Sequence, residues 1–191
     1  MKRVKIIIQT SMILAALLFF FGCTKDDASM DYGFTKIYMP QSVVRSGGTN
    51  NQYPVPTGTD SSTWNYTVDK VKGKLNITLG ASLSGPGVEA YSVDIKVNND
   101  TIQKLLSAKL LDPATNVIMP SSMFTIPSSL EVAKGKRSGF FTLSIDYAML
   151  KSVAYRNKFL LVSIGFSNAK TYELNAALSS AIVVVDVNKI P

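Results

Sequence analysis

The 191-residue chain contains no histidine, one cysteine and one tryptophan. Without histidine it cannot form a Ser-His-Asp triad, a Cys-His catalytic pair or any histidine-containing metal site. Charged residues make up 17% of the chain and hydrophobic residues 46%, which is the composition of a globular protein, not of a disordered one. The missing residue type therefore excludes several common enzyme and metalloprotein classes before any motif is considered.

A strong charge of one sign is also missing once the N-terminus is set aside. The formal net charge is +7, but Lys2, Arg3 and Lys5 lie in the first five residues, ahead of an apolar run. Without that segment the balance falls to +4, with 17 basic and 13 acidic side chains. Such a mild excess does not indicate a nucleic-acid partner, and we predict none.

The only long hydrophobic run follows those basic residues and extends from Ile6 to Phe21. A basic start, an apolar stretch and a small residue, Gly22, form the layout of a secretory signal peptide. A membrane-spanning helix is the alternative, but this run is interrupted by the polar residues 9–11 and is shorter than the ~20 residues that a bilayer requires. We therefore predict a signal peptide over residues 1–22.

The lone cysteine lies directly after that segment, in the sequence LFFFGC. This sequence resembles a bacterial lipobox, in which a cysteine becomes the lipidated first residue of the mature protein. The resemblance implies lipidation of Cys23 and a tether over residues 23–33, and several acyl chains would give stable membrane anchoring. The following CTKDD resembles the short signal that sends lipoproteins of the Bacteroidota to the outer leaflet. We therefore expect a lipid-anchored outer-membrane protein that faces the cell exterior.

Beyond residue 34 the hydrophobic pattern has a period of two, which is typical of half-buried strands. Eight segments show it: TKIYM (35–39), WNYTV (64–68), KLNITLGAS (74–82), YSVDIKV (91–97), SLEVA (129–133), FTLSIDY (141–147), FLLVSIGF (159–166) and AIVVVDV (181–187). Residues 100–111 instead have helical spacing, with Asn99 or Asp100 as the predicted N-cap, and KGKR (134–137) suggests a solvated hairpin tip. The chain is predicted to be all-β, an immunoglobulin-like antiparallel β-sandwich of about seven to eight strands over residues 34–191, with one short helix near 100–110.

Four stretches together resemble one family: TKIYMPQS, YSVDIKVNNDTIQKL, MPSSMFTIPSSLEVAKGKRSGFFTLSID and YELNAALSSAIVVVDV. It is the domain of unknown function 1735 family of Bacteroidota surface lipoproteins. The resemblance covers about residues 34–188. It implies an immunoglobulin-like domain that, in larger members, precedes a glycoside-hydrolase-like or lectin-like domain. Only NKIP follows the sandwich here, so we do not expect the activity of those additional domains.

Aromatic residues provide the candidate ligand site, because binding pockets combine aromatic surface with a few polar groups. Trp64 and Tyr66 lie on one face of the predicted strand by their spacing, and Tyr53 precedes them in a proline-rich loop. A glycan could stack on these three side chains. The alternative is that they are core residues, which a sandwich also requires.

An oxygen-rich run, with Asp94, Asn98, Asn99 and Asp100, suggests calcium, but its spacing does not match a calcium-binding loop and helix capping explains the same residues. We therefore predict no metal site. The tripeptide Asp-Thr-Ile resembles the O-glycosylation acceptor of exported Bacteroidota proteins, which makes Thr101 a candidate for modification.

Carboxylate pairs are the remaining route to catalysis, as in glycoside hydrolysis. The three glutamates, Glu89, Glu131 and Glu173, lie far apart in the sequence. We therefore predict no catalytic residue, no cofactor and no enzyme activity. The leading hypothesis is a surface binding or accessory module associated with glycan capture. The alternative is a structural spacer or an assembly partner of another outer-membrane protein.

Overall fold

A computed structural model describes residues 33–43, 51–58, 60 and 63–191 of the chain. The predicted signal peptide, Cys23 and nearly all of the predicted tether lie outside these described residues. Within them the chain forms twelve strands and two α-helices. None of the helices in this described part is long and apolar enough to span a membrane.

The elements follow the chain in this order. The strands are β1 (Lys36–Tyr38), β2 (Gln52–Val55), β3 (Tyr66–Asp69), β4 (Lys74–Leu83), β5 (Tyr91–Val97), β6 (Asn116–Ile118), β7 (Phe124–Thr125), β8 (Ser129–Val132), β9 (Ser138–Asp146), β10 (Phe159–Lys170), β11 (Glu173–Leu174) and β12 (Ser180–Asp186). The α-helices are α1 (Asp100–Ser107) and α2 (Tyr147–Leu150). Short 3-10 helices span Pro40–Ser42, Ser121–Met123, Val153–Tyr155 and Ala176–Leu178.

Two sheets of six strands pack as a sandwich. The first has the order β11-β1-β4-β9-β7, with β3 also paired to β4, and the second has the order β2-β12-β10-β5-β8, with β6 also paired to β10. The runs β1-β4-β9-β7 and β5-β10-β12 reproduce the ABED and CFG sheets of an immunoglobulin domain. The predicted β-sandwich is therefore confirmed.

The pairing is less uniformly antiparallel than the sequence suggests. The long ladders β4·β9 and β10·β12 are antiparallel, but β1·β11, β6·β10 and β2·β12 are parallel. In each parallel pair one partner has only two to four residues. These short segments are held by a longer neighbour and have too few residues for a period to be recognised.

The core lies between the sheets and follows the predicted alternation. On β4 the side chains of Leu75, Ile77 and Leu79 are fully buried, and on β9 those of Leu143 and Ile145 are as well. The alternate residues of both strands are directed to the other side of the sheet. Each fully buried aliphatic side chain contributes about 1.5–3 kcal/mol to folding relative to an exposed one.

The outward side of the second sheet is covered by α1. Ile102 of the helix packs with Leu161 and Ile182, in a small apolar cluster separate from the main core. Asn99 occupies the predicted N-cap position but makes no side-chain capping bond there. Its Oδ1 instead accepts a hydrogen bond from the backbone N–H of Ser163 at 2.9 Å, while Asn98 Oδ1 accepts from Asp100 N–H at 2.8 Å. The helix is thereby joined to β10.

The predicted hairpin tip at residues 134–137 is wrong. The strands that flank it, β8 and β9, lie in different sheets, so the segment crosses from one sheet to the other. Lys134 forms an ion pair with Glu89 at 2.9 Å, and the Arg137 guanidinium donates to the carbonyls of Leu83 and Gly85. Strands that are neighbours in sequence do not pair here, and the connection between them contacts two other loops at one end of the sandwich.

Candidate functional site

Two of the three predicted aromatic residues form a stack at one edge of the sandwich. The rings of Trp64 and Tyr66 have centroids 5.1 Å apart and are inclined by only 13°. Tyr66 begins β3, an edge strand that pairs only with β4 among the described strands, and it lies opposite the core residue Ile77. Tyr66 is buried at 6% exposure, while Trp64 is half-buried and packs against the core from outside.

The third predicted residue, Tyr53, reaches the same place from the other sheet. It lies on β2, the edge strand paired in parallel with β12, and is half-buried against the core. Asn65 joins the two edges, because its Nδ2 donates to the Pro54 carbonyl at 2.9 Å and its Oδ1 accepts from Thr57 N–H at 2.8 Å. The structure thus brings together all three aromatic residues that the sequence analysis selected.

These side chains line a pocket of about 250 Å³, which we call the aromatic pocket. Its lining consists of Tyr53, Trp64, Tyr66, Asn65, Thr67, Asn76 and Thr78. The last three come from outward positions of β3 and β4, and none of the seven carries a formal charge. A flat aromatic wall beside uncharged hydroxyl and amide groups suits a neutral ligand with one apolar face and several hydroxyls, such as a sugar ring.

Tyr66 belongs more to the core than to the pocket. Burial raises the pKa of its hydroxyl, and the neighbouring Tyr147 raises it further. Among the described residues its Oη finds no hydrogen-bond partner. We therefore assign Tyr66 the role of supporting Trp64, which also lines the pocket. The spacing of the two residues in the sequence places them on one face and does not separate these roles.

The oxygen-rich run before α1 does not converge on a metal. Asp94 Oδ2 accepts from Asn168 Nδ2 at 2.7 Å, whereas the oxygens of Asn98 and Asn99 bind backbone N–H groups as described above. Across the described residues no group of three potential His, Cys, Asp or Glu ligands occurs. Thr101 lies in the first turn of α1 with an exposed side chain, so modification there stays a prediction.

The carboxylates near the sandwich ends take part in ion pairs. Glu89 pairs with Lys134 and Glu173 with Lys36, at 2.9 and 3.6 Å. Asp146 pairs with Lys74 at 3.3 Å. The backbone N–H of Met149, and then Lys74, hold the pKa of Asp146 below its ordinary value of 3.8. Each of these three carboxylates is therefore paired with a lysine side chain.

Two larger depressions offer less chemistry. One, of about 570 Å³, lies on the exposed polar side of α1 and has no aromatic lining. The other, of about 510 Å³, includes Tyr91, whose hydroxyl is already bonded to the carbonyls of Ala81 and Arg137 at 3.2 and 3.1 Å. Burial raises the pKa of Tyr91 to about 12. The aromatic pocket is therefore the strongest candidate site among the described residues.

The fold and its pocket define an immunoglobulin-like sandwich domain, and comparison with known proteins places it in a family. Residues 34–164, more than half of the chain, match a family model described as an N-terminal domain. The chain belongs to this family, which is related to the domain of unknown function 1735 family. No match was found among curated proteins.

Several solved structures from Bacteroides ovatus have the same fold. A protein of unknown function superimposes with a TM-score of 0.55 at 16% identity, covering 80% of this chain and 46% of that one. A candidate carbohydrate-binding protein gives 0.53 at 10% identity, with coverages of 79% and 36%. A multidomain protein that includes DUF1735 gives 0.51 at 14%, with coverages of 80% and 45%. The chain therefore spans less than half the length of these structures, and at such identities the likeness shows the fold alone.

Proposed function

We propose that this chain is a non-enzymatic cell-surface lipoprotein whose sandwich domain binds neutral glycans at the aromatic pocket, as an accessory to glycan capture. The observation that carries the proposal is the lining of the pocket. Tyr53 and Trp64 offer aromatic surface, while Thr67, Asn76 and Thr78 offer polar groups without charge. One solved protein of the same fold is described as a candidate carbohydrate-binding protein, which agrees with this proposal.

The available hydrogen-bonding groups support a sugar ligand. Asn76 Oδ1 already accepts from Ser144 Oγ at 2.6 Å, which leaves its amide N–H groups for a ligand. Both the oxygen and the nitrogen of the Asn65 amide already make hydrogen bonds to the backbone, so Asn65 positions the pocket wall and is not expected to bind the ligand. A sugar ring would thus stack on Trp64 and bond to Asn76 and the two threonines.

The test uses Trp64 as its own reporter, because it is the only tryptophan of the chain. The full chain is titrated with neutral gluco-, manno-, galacto- and xylo-oligosaccharides while Trp64 emission is recorded. We expect a saturable change with at least one series, and at least a tenfold weaker affinity for Tyr53→Ala. Val153→Ala is the matched control, since Val153 is 77% exposed and lies outside the pocket. A flat response across the panel would contradict the proposal.

A second candidate function, a structural spacer or assembly partner, is favoured by a different observation. Phe34 contacts the end of β4 near Ser84, whereas Pro191 accepts a hydrogen bond from Tyr147, which follows the opposite end of the sheet. The ten residues of β4 separate these ends by about 30 Å. A domain of this kind would hold apart whatever is joined to its two ends. Binding to one outer-membrane protein, unchanged by Tyr53→Ala and without any response to glycans, would favour this alternative.

The proposed location depends on Cys23, because a thiol is the nucleophile that accepts a diacylglyceryl group. We expect Cys23→Ser to abolish incorporation of labelled palmitate and to move the protein from the membrane to the soluble fraction. Replacing Asp26 and Asp27 with alanine is the matched control for the surface signal. That variant should keep its lipid label but lose accessibility to external protease. Membrane retention and labelling of Cys23→Ser would contradict lipidation at this residue.

A further inference from the structure

Among the described residues, the outward side of the first sheet is exposed beside the aromatic pocket. We define the open face by the outward residues of β3, β4 and β9: Thr67, Asn76, Thr78, Gly80, Phe140 and Thr142. On the second sheet the corresponding side is covered by α1. Here Thr67, Thr78, Phe140 and Thr142 are exposed. The two sheets of the sandwich thus differ in that one outward face remains accessible between the described elements.

The open face carries no formal charge. The Lys74–Asp146 ion pair, at 3.3 Å, closes it at one end, and the Lys36–Glu173 pair, at 3.6 Å, lies beyond its other end. Between them every outward residue of β4 and β9 is uncharged. The hydroxyls of Thr78 and Thr142 make no hydrogen bond to any described residue. Such a surface matches a neutral polyhydroxylated ligand better than an anionic or cationic one.

Phe140 is the one large apolar side chain on this face, and it is 66% exposed. It lies directly opposite Gly80, and its Cδ1 and Cε1 atoms are 2.9 and 3.3 Å from where a Cβ of residue 80 would be. The absence of a side chain at Gly80 therefore lets the ring rest against the sheet. Most of the ring remains in contact with solvent and can stack against a sugar.

The open face is continuous with the aromatic pocket. Thr67, Asn76 and Thr78 belong to both. Thr78 lies opposite Thr142, so Phe140, two residues earlier on β9, is its diagonal neighbour. Diagonal neighbours across paired strands are about 7–8 Å apart. A ligand that fills the pocket and extends by one or two sugar rings over Thr78 would reach Phe140.

We propose that the open face is a second subsite, so that a neutral linear oligosaccharide lies across β4 from the aromatic pocket to Phe140. This inference rests on the proposed function and adds the class of ligand, a chain of several sugars bound along its length. Trp64 and Phe140 stack on two different rings, while Thr78 and Thr142 bond to hydroxyls between them. The predicted signature is an affinity that depends on chain length.

The experiment uses the full chain and the oligosaccharide series that responds in the panel, with one to six sugar units. Calorimetry should show an affinity at least tenfold higher for the tetrasaccharide than for the monosaccharide. Phe140→Ala should remove this gain and leave monosaccharide affinity within twofold of wild type. Phe140→Leu, which keeps apolar volume over Gly80 without an aromatic face, should also lose the gain. Val153→Ala is the control at an exposed apolar position elsewhere, and thermal melts confirm that each variant is folded.

The outcomes separate this inference from the proposed function. Binding that requires Tyr53 but shows no gain with chain length, or keeps that gain in both Phe140 variants, overturns the second subsite and leaves the pocket intact. Absence of binding to every saccharide overturns both. A gain lost in both Phe140 variants and kept in Val153→Ala supports the inference.

Discussion

Replacing Trp64 with alanine tests whether the aromatic pocket is built on the core as the structure indicates. Replacing a fully buried tryptophan with alanine lowers the free energy of unfolding by about 3–5 kcal/mol. Trp64 is only half-buried, so about half of this cost applies. Loss of the stack on Tyr66, with centroids 5.1 Å apart, adds about 0.5–1.5 kcal/mol. The free energy of unfolding should therefore fall by about 2–4 kcal/mol.

For a domain of this size such a loss lowers Tm by roughly 4–16 °C. Urea unfolding is followed by far-ultraviolet circular dichroism, since Trp64→Ala has no tryptophan. Trp64→Phe keeps an aromatic ring over Tyr66 and should lose less than half as much. Val153→Ala serves as the control for an exposed site. Substitutions at ordinary surface sites change the free energy of unfolding by no more than about 0.5 kcal/mol. If the value for Trp64→Ala lies within that range of wild type, the stack does not stabilise the fold and the prediction is wrong.

Three further predictions concern buried or paired polar groups. Tyr66→Phe should unfold at the same temperature as wild type or slightly higher, because the buried Oη has no described partner; a loss above about 1 kcal/mol would show that the hydroxyl is bonded. Because the pKa of Tyr91 is raised to about 12, the contribution of its neutral hydroxyl to the free energy of unfolding is complete below pH 10 and is lost between about pH 10 and 12. The Tm of Tyr91→Phe should therefore fall less than that of wild type over this window. The pKa of Asp146 is lowered, so the pH dependence has the opposite direction. The contribution of its carboxylate to the free energy of unfolding is present above about pH 3.8 and is lost as the pH falls further. The Tm difference between wild type and Asp146→Asn should therefore shrink below that pH, and a constant difference would contradict the assignment.

The long strands could be predicted from sequence because burial on one side imposes a period of two. All eight predicted strands are present, with ends within four residues of those expected. On β9, for example, Phe141, Leu143 and Ile145 are buried as the alternation requires. The same alternation, extended by one residue, puts Phe140 on the outward side.

Four short strands, β2, β6, β7 and β11, were missed because their positions are set by longer neighbours and not by their own residues. β2 contains a proline, Pro54, which is accepted at the edge of a sheet. The segment that leads into β12 contains only a 3-10 turn, at Ala176–Leu178. Local patterns predict such segments poorly, since their energy comes from tertiary contacts.

The candidate site was predicted in part. Spacing placed Trp64 and Tyr66 on one face, and the structure adds that Tyr53 meets them from the other sheet. The polar lining from Asn76 and Thr78 could not be predicted, because it depends on the register of β3 against β4. Only the pairing shows which outward residues border the pocket.

The most direct test of the central claim is a titration of the full chain with neutral oligosaccharides, recorded through the emission of Trp64. The account predicts a saturable change with at least one series, weakened at least tenfold in Tyr53→Ala and unaltered in Val153→Ala. Unchanged Trp64 emission with every series, confirmed by the absence of heat in calorimetry, would contradict it.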